Sequence, residues 1–180
     1  MKIVDHWLQG ARVCPSAFFN ERPQAEISLL VIHCIALPPR IYGGDAIERL
    51  FTGSLPAESH PYFAQISGLR VSAHLLIRRT GELVQFVGFD QRAWHAGASS
   101  FQGRDNCNDF AIGVELEGSD DQPYTQLQYR QLVKVTRLLQ QAYPAITQER
   151  ICSHAAIAPG RKTDPGSGFD WDFYWEELNG

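Results

Sequence analysis

The sequence predicts an α/β protein in which a central mixed β-sheet is flanked by helices. Three observations carry that expectation. Ser28 to His33 is a near-continuous apolar run, the pattern of a strand buried on both faces, and Phe110 to Leu116 is a second run with few charges until its end. Val71 to Ile77 and Leu83 to Val87 flank Arg78-Arg79-Thr80-Gly81-Glu82 and read as a hairpin. Thr125 and Gln128 form a capping-box pattern ahead of Leu127, Leu132, Val133, Val135, Leu138, Leu139 and Ala142, one apolar helical face that Pro144 ends. Strands and helices mixed along one chain pack as layers about a shared core.

In chain order, residues 1 to 27 are rich in turn formers and read as an irregular lead-in. The first buried strand gives way to a long loop marked by Pro38-Pro39 and Gly43-Gly44. Asp45 is expected to cap a short helix that Gly53 terminates, with Glu48 three positions on. A further short helix runs from about Ser59 to Ile66, stopped by Gly68. The hairpin, the second buried strand and the long helix follow, then a last strand leading to His154 and a short closing helix led by Asp170. Gly88 to Asn108 and Ala155 to Gly168 have no assigned element. Long loops of that kind are uncommon in compact domains and are often functional.

A chain of 180 residues suits one domain, 1–180, with a single sizeable core. Its net charge of −4 and the lack of any basic run beyond Arg78-Arg79 argue against a nucleic-acid partner. Met1-Lys2-Ile3-Val4-Asp5 breaks with charge where an export signal needs an apolar stretch, and the apolar runs are too short to span a bilayer. The expectation is therefore a cytoplasmic monomer with no membrane partner. Cys14, Cys34, Cys107 and Cys152 would stay reduced there, and no CxxC pair suggests a zinc knuckle.

His33 and His154 each end an apolar run, which puts both imidazoles where a strand leaves the core. Asp164 lies in a loop broken by Pro159, Gly160, Pro165 and Gly166. Two neutral imidazoles and one carboxylate would hold Zn²⁺ and leave a fourth position open, as catalytic zinc sites do. Cys152 shares the face of His154 by alternation and is a competing ligand or close neighbour, whereas Cys34 would face away from His33. Glu115 and Glu117 share one face of their strand, and either suits a general base beside such a metal. Lys162 would steady a developing oxyanion. Of the other histidines, His6 and His60 read as surface residues. His95 lies in a loop and would contact substrate or face solvent. His74 is a polar group within the sheet, or a residue that orients a ligand or substrate.

These residues sit in stretches that resemble a known family. Ile32-His33, Val71-Ser72-Ala73-His74, Arg92-Ala93-Trp94-His95-Ala96-Gly97, Asn108-Asp109-Phe110, Ile112 through Gly118, Ile157-Ala158-Pro159 and Arg161 through Gly166 look like those of the AmpD-type N-acetylmuramoyl-L-alanine amidases, the cytoplasmic 1,6-anhydro-N-acetylmuramyl-L-alanine amidases of cell-wall recycling. The resemblance implies the fold shared with peptidoglycan recognition proteins and phage amidases, with zinc in a groove. It also implies zinc ligands at His33, His154 and Asp164, a catalytic glutamate at Glu115 and an assisting lysine at Lys162. Two departures stand out. Cys34 replaces the Asn that usually follows the first histidine, and Ala155-Ala156 replaces a Cys-Asp pair after the second.

The expected substrate is an anhydro-muropeptide, cleaved at the amide between the lactyl group of N-acetylmuramic acid and L-alanine. Glu115 would act as general base and then general acid. Trp94 would stack on a sugar, with His95, His74, Arg70 or Arg104 reaching the substrate's polar groups. Two other readings compete: a non-catalytic sensor of peptidoglycan fragments on the same fold, and a zinc peptidase acting on the stem peptide. The absence of HExxH speaks against the common metalloprotease helix.

Overall fold

The computed structural model describes residues 1–180. In chain order its strands and helices are β1 (Lys2–Val4), β2 (Trp7–Gln9), β3 (Arg12–Val13), β4 (Phe19–Glu21), β5 (Leu29–Ile35), α1 (Ala46–Thr52), α2 (Pro61–Ile66), β6 (Leu75–Ile77), β7 (Leu83–Gln85), β8 (Gln91–Ala93), β9 (Ser100–Phe101), β10 (Arg104–Asp105), β11 (Ala111–Glu117), α3 (Gln126–Ala142), β12 (Ile151–Ser153), α4 (His154–Ile157) and α5 (Trp171–Asn179). The main sheet has the order β12-β5-β11-β6-β7-β3. Strands β12, β5, β11 and β6 run parallel, β7 turns back antiparallel on β6, and β3 lies parallel to β7. The expected mixed sheet is therefore present.

Two apolar layers cover the sheet. Leu30, Ile32, Ile112 and Val114 point to one side, where Leu132, Val135 and Leu139 of α3 and Tyr174 of α5 cover them. On the other side Leu76 and Val84 pack against Ile47, Leu50 and Phe51 of α1 and Phe63 of α2. The next positions along β5 and β11 (Leu29, Val31, Ala111) meet Ala96, Phe110 and Ile157. Strand alternation then carries His33, Gly113 and Glu115 onto this face, away from α3.

Helix α3 follows its sequence signature closely. Thr125 accepts from the Gln128 N–H at 3.2 Å, and the Gln128 side chain accepts from the Thr125 N–H at 3.0 Å, so the capping box is closed. Leu127, assigned to its apolar face, instead lies at the rim and is half exposed. Gly53 ends α1 with φ +74°, a left-handed conformation that glycine adopts without strain. Asp45 does not cap α1: its carboxylate accepts from Arg49 Nε at 2.7 Å, a pair one helical turn apart. Helix α2 starts later than expected, because His60, read as a surface residue, caps it by accepting from the Tyr62 N–H at 3.1 Å, with Pro61 in the first turn.

The lead-in is not irregular. β1 and β2 form a hairpin, β3 extends the main sheet, and β4 pairs with β8. The segment between Gly88 and Asn108 likewise contains β8 and the β9–β10 hairpin. These strands are two or three residues long and depend on distant partners, so local periodicity carries no trace of them. Arg22 shows the same dependence: its half-buried guanidinium donates to the carbonyls of Phe89, Asn108 and Ala111 at 3.1, 3.1 and 2.9 Å.

Candidate metal centre and active site

Parallel pairing sets Glu115 of β11 beside His33 of β5. On the other flank of β5, Ser153 pairs with Ile32, and His154 follows as the first residue of α4. The Ser153 hydroxyl caps that short helix by accepting from the Ala156 N–H at 3.0 Å. The Ala155 N–H donates to the Asp164 carbonyl at 3.0 Å, which brings the loop back over the histidines.

His33 Nδ1, His154 Nδ1 and Asp164 Oδ2 form a triangle with edges of 2.9, 3.0 and 3.2 Å. No other group of metal-ligating side chains in the structure comes together in this way. Ligand atoms held about 2.0–2.2 Å from a tetrahedral zinc stand roughly 3.3–3.5 Å apart, so small adjustments admit the ion. Protonation also suits a cation. Burial keeps His33 neutral, with its pKa lowered to about 4 against the opposing pull of Asp164. Burial raises the Asp164 carboxyl, but its close approach to the His154 and His33 imidazoles outweighs that and holds the group ionised far below the usual carboxylate range. His154 Nε2 donates to the Ala96 carbonyl at 3.1 Å, which leaves Nδ1 with a lone pair facing the triangle.

Glu115 and Glu117 separate by their partners. Glu117 accepts from the Gly43 N–H at 2.6 Å, Arg78 Nη1 at 3.2 Å and the Arg79 N–H at 3.0 Å, so it ties the pocket's outer loop to the sheet. Glu115 is buried and its Oε2 has no hydrogen-bond partner. Burial, reinforced by the negative charge of Asp164 and opposed by Lys162, holds the Glu115 carboxyl well above its ordinary range. A cleft opens over His33, Glu115, His154 and Asp164, with the exposed Lys162 and the half-buried Trp94 on its lining and Leu37, Phe51 and Ile66 forming an apolar wall.

The remaining expected contacts divide. Trp94 lines the cleft, donates from Nε1 to Asn20 at 2.6 Å and stacks on Phe18 at 6.3 Å. The guanidinium of Arg70 lies 5.6 Å from the Phe18 ring and 5.8 Å from that of Trp94. Phe18 and Asn20 were not singled out from the sequence, since they meet Trp94 only through the pairing of β4 with β8. His74 does not contact the cleft. It is fully enclosed, accepting from the Gly113 N–H at 3.0 Å through Nδ1 and donating to the Gln91 carbonyl at 3.0 Å through Nε2, so a direct substrate contact is ruled out by its burial. Arg104 is likewise engaged elsewhere, paired with Glu26 at 2.6 Å over the Phe110 ring. His95 borders the cleft, but its Nδ1 lies 2.9 Å from His33 Nε2. Cys152 packs against the apolar layer around Leu29 and Val31, and burial raises its thiol to about 12.

The two departures have local accounts. Cys34 packs toward the α3 side, as alternation requires, and its thiol donates to Asp120 Oδ1 at 3.1 Å. Asp120 also accepts from the Thr163 hydroxyl, which anchors the loop that carries Lys162 and Asp164. With Ala155 and Ala156 beside it, His154 takes its orientation from the Ala96 carbonyl rather than from an acidic side chain.

A mixed sheet with a buried glutamate beside a His-His-Asp triangle is the arrangement of a hydrolase site able to hold a metal ion. The chain belongs to the N-acetylmuramoyl-L-alanine amidase family, whose profile matches residues 23–167. Within that family it is 55% identical to the 1,6-anhydro-N-acetylmuramyl-L-alanine amidase AmpD of Escherichia coli (strain K12), over 95% of this chain and 93% of that protein. A crystal structure of a selenomethionine AmpD derivative superposes with a TM-score of 0.96 at 54% identity, covering 99% of both chains. The amidase AmiD of E. coli, solved with anhydro-N-acetylmuramic acid-L-Ala-D-γ-Glu-L-Lys, matches at 26% identity and a TM-score of 0.62 over 88% of this chain and 60% of that one.

Proposed function

We propose that the chain is a zinc-dependent amidase that hydrolyses the bond between 1,6-anhydro-N-acetylmuramic acid and L-alanine in muropeptides of cell-wall recycling. Family membership and the 55% identity to AmpD support the reaction. The anhydromuramyl peptide held by the related AmiD supports the substrate class. The single observation that carries the mechanism is the buried, unpartnered carboxylate oxygen of Glu115 beside the ligand triangle.

His33, His154 and Asp164 would hold one Zn²⁺. When bound, zinc supplies Lewis acidity, which polarises the scissile carbonyl and acidifies water. Glu115 accepts the proton of the attacking water and then delivers it to the departing alanine amine. Lys162 offsets negative charge at the carbonyl oxygen. Trp94 offers a flat apolar face to the sugar, and Arg70 offers a cation to peptide carboxylates. No helix is long and apolar enough to cross a membrane. The four unpaired cysteines support a reducing, cytoplasmic location, and the reading takes the active unit to be a monomer.

Replacing Glu115 by Ala should leave zinc bound while turnover falls about 10²–10⁴-fold, the range of a general acid–base group. Metal content and turnover on an anhydro-muropeptide, measured on the same preparation, test this. Unchanged turnover would remove Glu115 from the reaction.

A further inference from the structure

We infer that the two-residue stretch His95–Ala96 supplies the hydrogen-bond acceptor that orients each imidazole ligand, and that Asn108 is the positioning residue that sets this stretch. The inference rests on the proposed zinc site and deepens it. His154 Nε2 donates to the Ala96 carbonyl at 3.1 Å, and Arg161 Nη2 donates to the same oxygen at 2.6 Å. One residue earlier, His95 Nδ1 lies 2.9 Å from His33 Nε2. For His33 Nδ1 to offer a lone pair within the triangle, its proton must sit on Nε2, and His95 Nδ1 must accept it. Both ligands are then held by one short segment, through equivalent ring nitrogens.

Three further features are explained by this role. His95 must carry its own proton on Nε2, and that atom is buried with no partner. A buried, unsatisfied N–H disfavours the fold, so packing alone gives no reason for histidine there. The ring also needs space: a Cβ on Gly113 would come within 2.4 Å of His95 Cγ, so glycine in the middle of β11 leaves the recess in which the ring lies. Finally, the Asn108 side chain is buried, and its Oδ1 accepts from the backbone N–H groups of both His95 and Ala96, at 3.1 and 2.8 Å. One carboxamide thereby fixes the backbone that serves both histidines.

The test is zinc affinity, measured by competition with a chromophoric chelator on protein first stripped of metal. His95→Ala should weaken zinc binding about 10–100-fold, the usual effect of losing an outer-shell partner. His95→Asn places Oδ1 where Nδ1 stood and should restore binding to within a few-fold of wild type. A purely packing role predicts equal losses for the two variants, since both delete the ring. Asn108→Ala should weaken zinc binding in the same direction as His95→Ala. Nitrogen NMR of the zinc-loaded wild type reads the protons directly and does not depend on any variant folding: His95 should be protonated on Nε2 and bare on Nδ1. A proton on His95 Nδ1, or wild-type affinity in His95→Ala, would overturn the inference while leaving the zinc site intact. Failure of the wild type to bind zinc would instead overturn the proposed function on which the inference rests.

Discussion

A buried carboxylate with an oxygen left unpaired costs about 1–3 kcal/mol or more, and Glu115 carries that cost where Glu117, two residues on, does not. The difference has a consequence in pH. Burial first, then Asp164, raise the Glu115 carboxyl well above its ordinary range, and Lys162 only partly opposes them. Below about pH 4 the folded and unfolded chains both hold this proton, and the ionisation of Glu115 adds no pH-dependent cost to folding. At higher pH the unfolded chain releases it first, so the folded state loses stability as pH rises towards the folded-state value. In zinc-free protein, Glu115→Gln should therefore raise the melting temperature little near pH 4 and increasingly towards neutrality. A gain that is the same at both ends would contradict this account of the residue. The sequence left Glu115 and Glu117 equivalent, because their alternation is identical. Only the positions of Arg78, the Arg79 N–H and the Gly43 N–H, all remote in the chain, separate them.

At the level of elements, legibility follows from how local the cause is. Helix α3 was readable because its cap, its apolar stripe and the proline after it all lie within one stretch of chain. Thr125→Ala should cost about 1 kcal/mol in denaturant unfolding and leave kcat/KM unchanged, since the cap lies outside the cleft. A loss of activity without loss of stability would mean that α3 does more than cover the sheet. β5 and β11 were readable as continuous apolar runs, and their histidine and glutamate stood out as polar exceptions within them. The short strands β3, β4 and β8 were not, since each is stabilised by pairing with residues far away in sequence. His95 and Asn108 belong with them. Asn108 was present only as part of the Asn108-Asp109-Phe110 motif, and its role depends on a bend that brings it under the backbone of residues 95 and 96.

For the molecule as a whole, six strands in one sheet carry apolar layers on both faces, and the ligands come from β5, the β12–α4 junction and the following loop. We propose that the chain unfolds as one unit, and that zinc binding to the folded form alone adds stability by mass action. At free zinc one hundred times the dissociation constant the gain is about 2.7 kcal/mol. Calorimetry should show a single transition that moves up with zinc in wild type and stays fixed in Asp164→Ala. Two separated transitions would divide the chain into domains.

The central claim is that this fold and site cut one bond, between the anhydro-sugar and L-alanine. Mass analysis of the products formed from a purified anhydro-muropeptide tests it most directly. The account predicts free 1,6-anhydro-N-acetylmuramic acid and an intact stem peptide, their masses together exceeding the substrate by one water. A shortened peptide still attached to the sugar would make the protein a peptidase, and no product from the zinc-loaded protein would make it a sensor; either result would contradict the account.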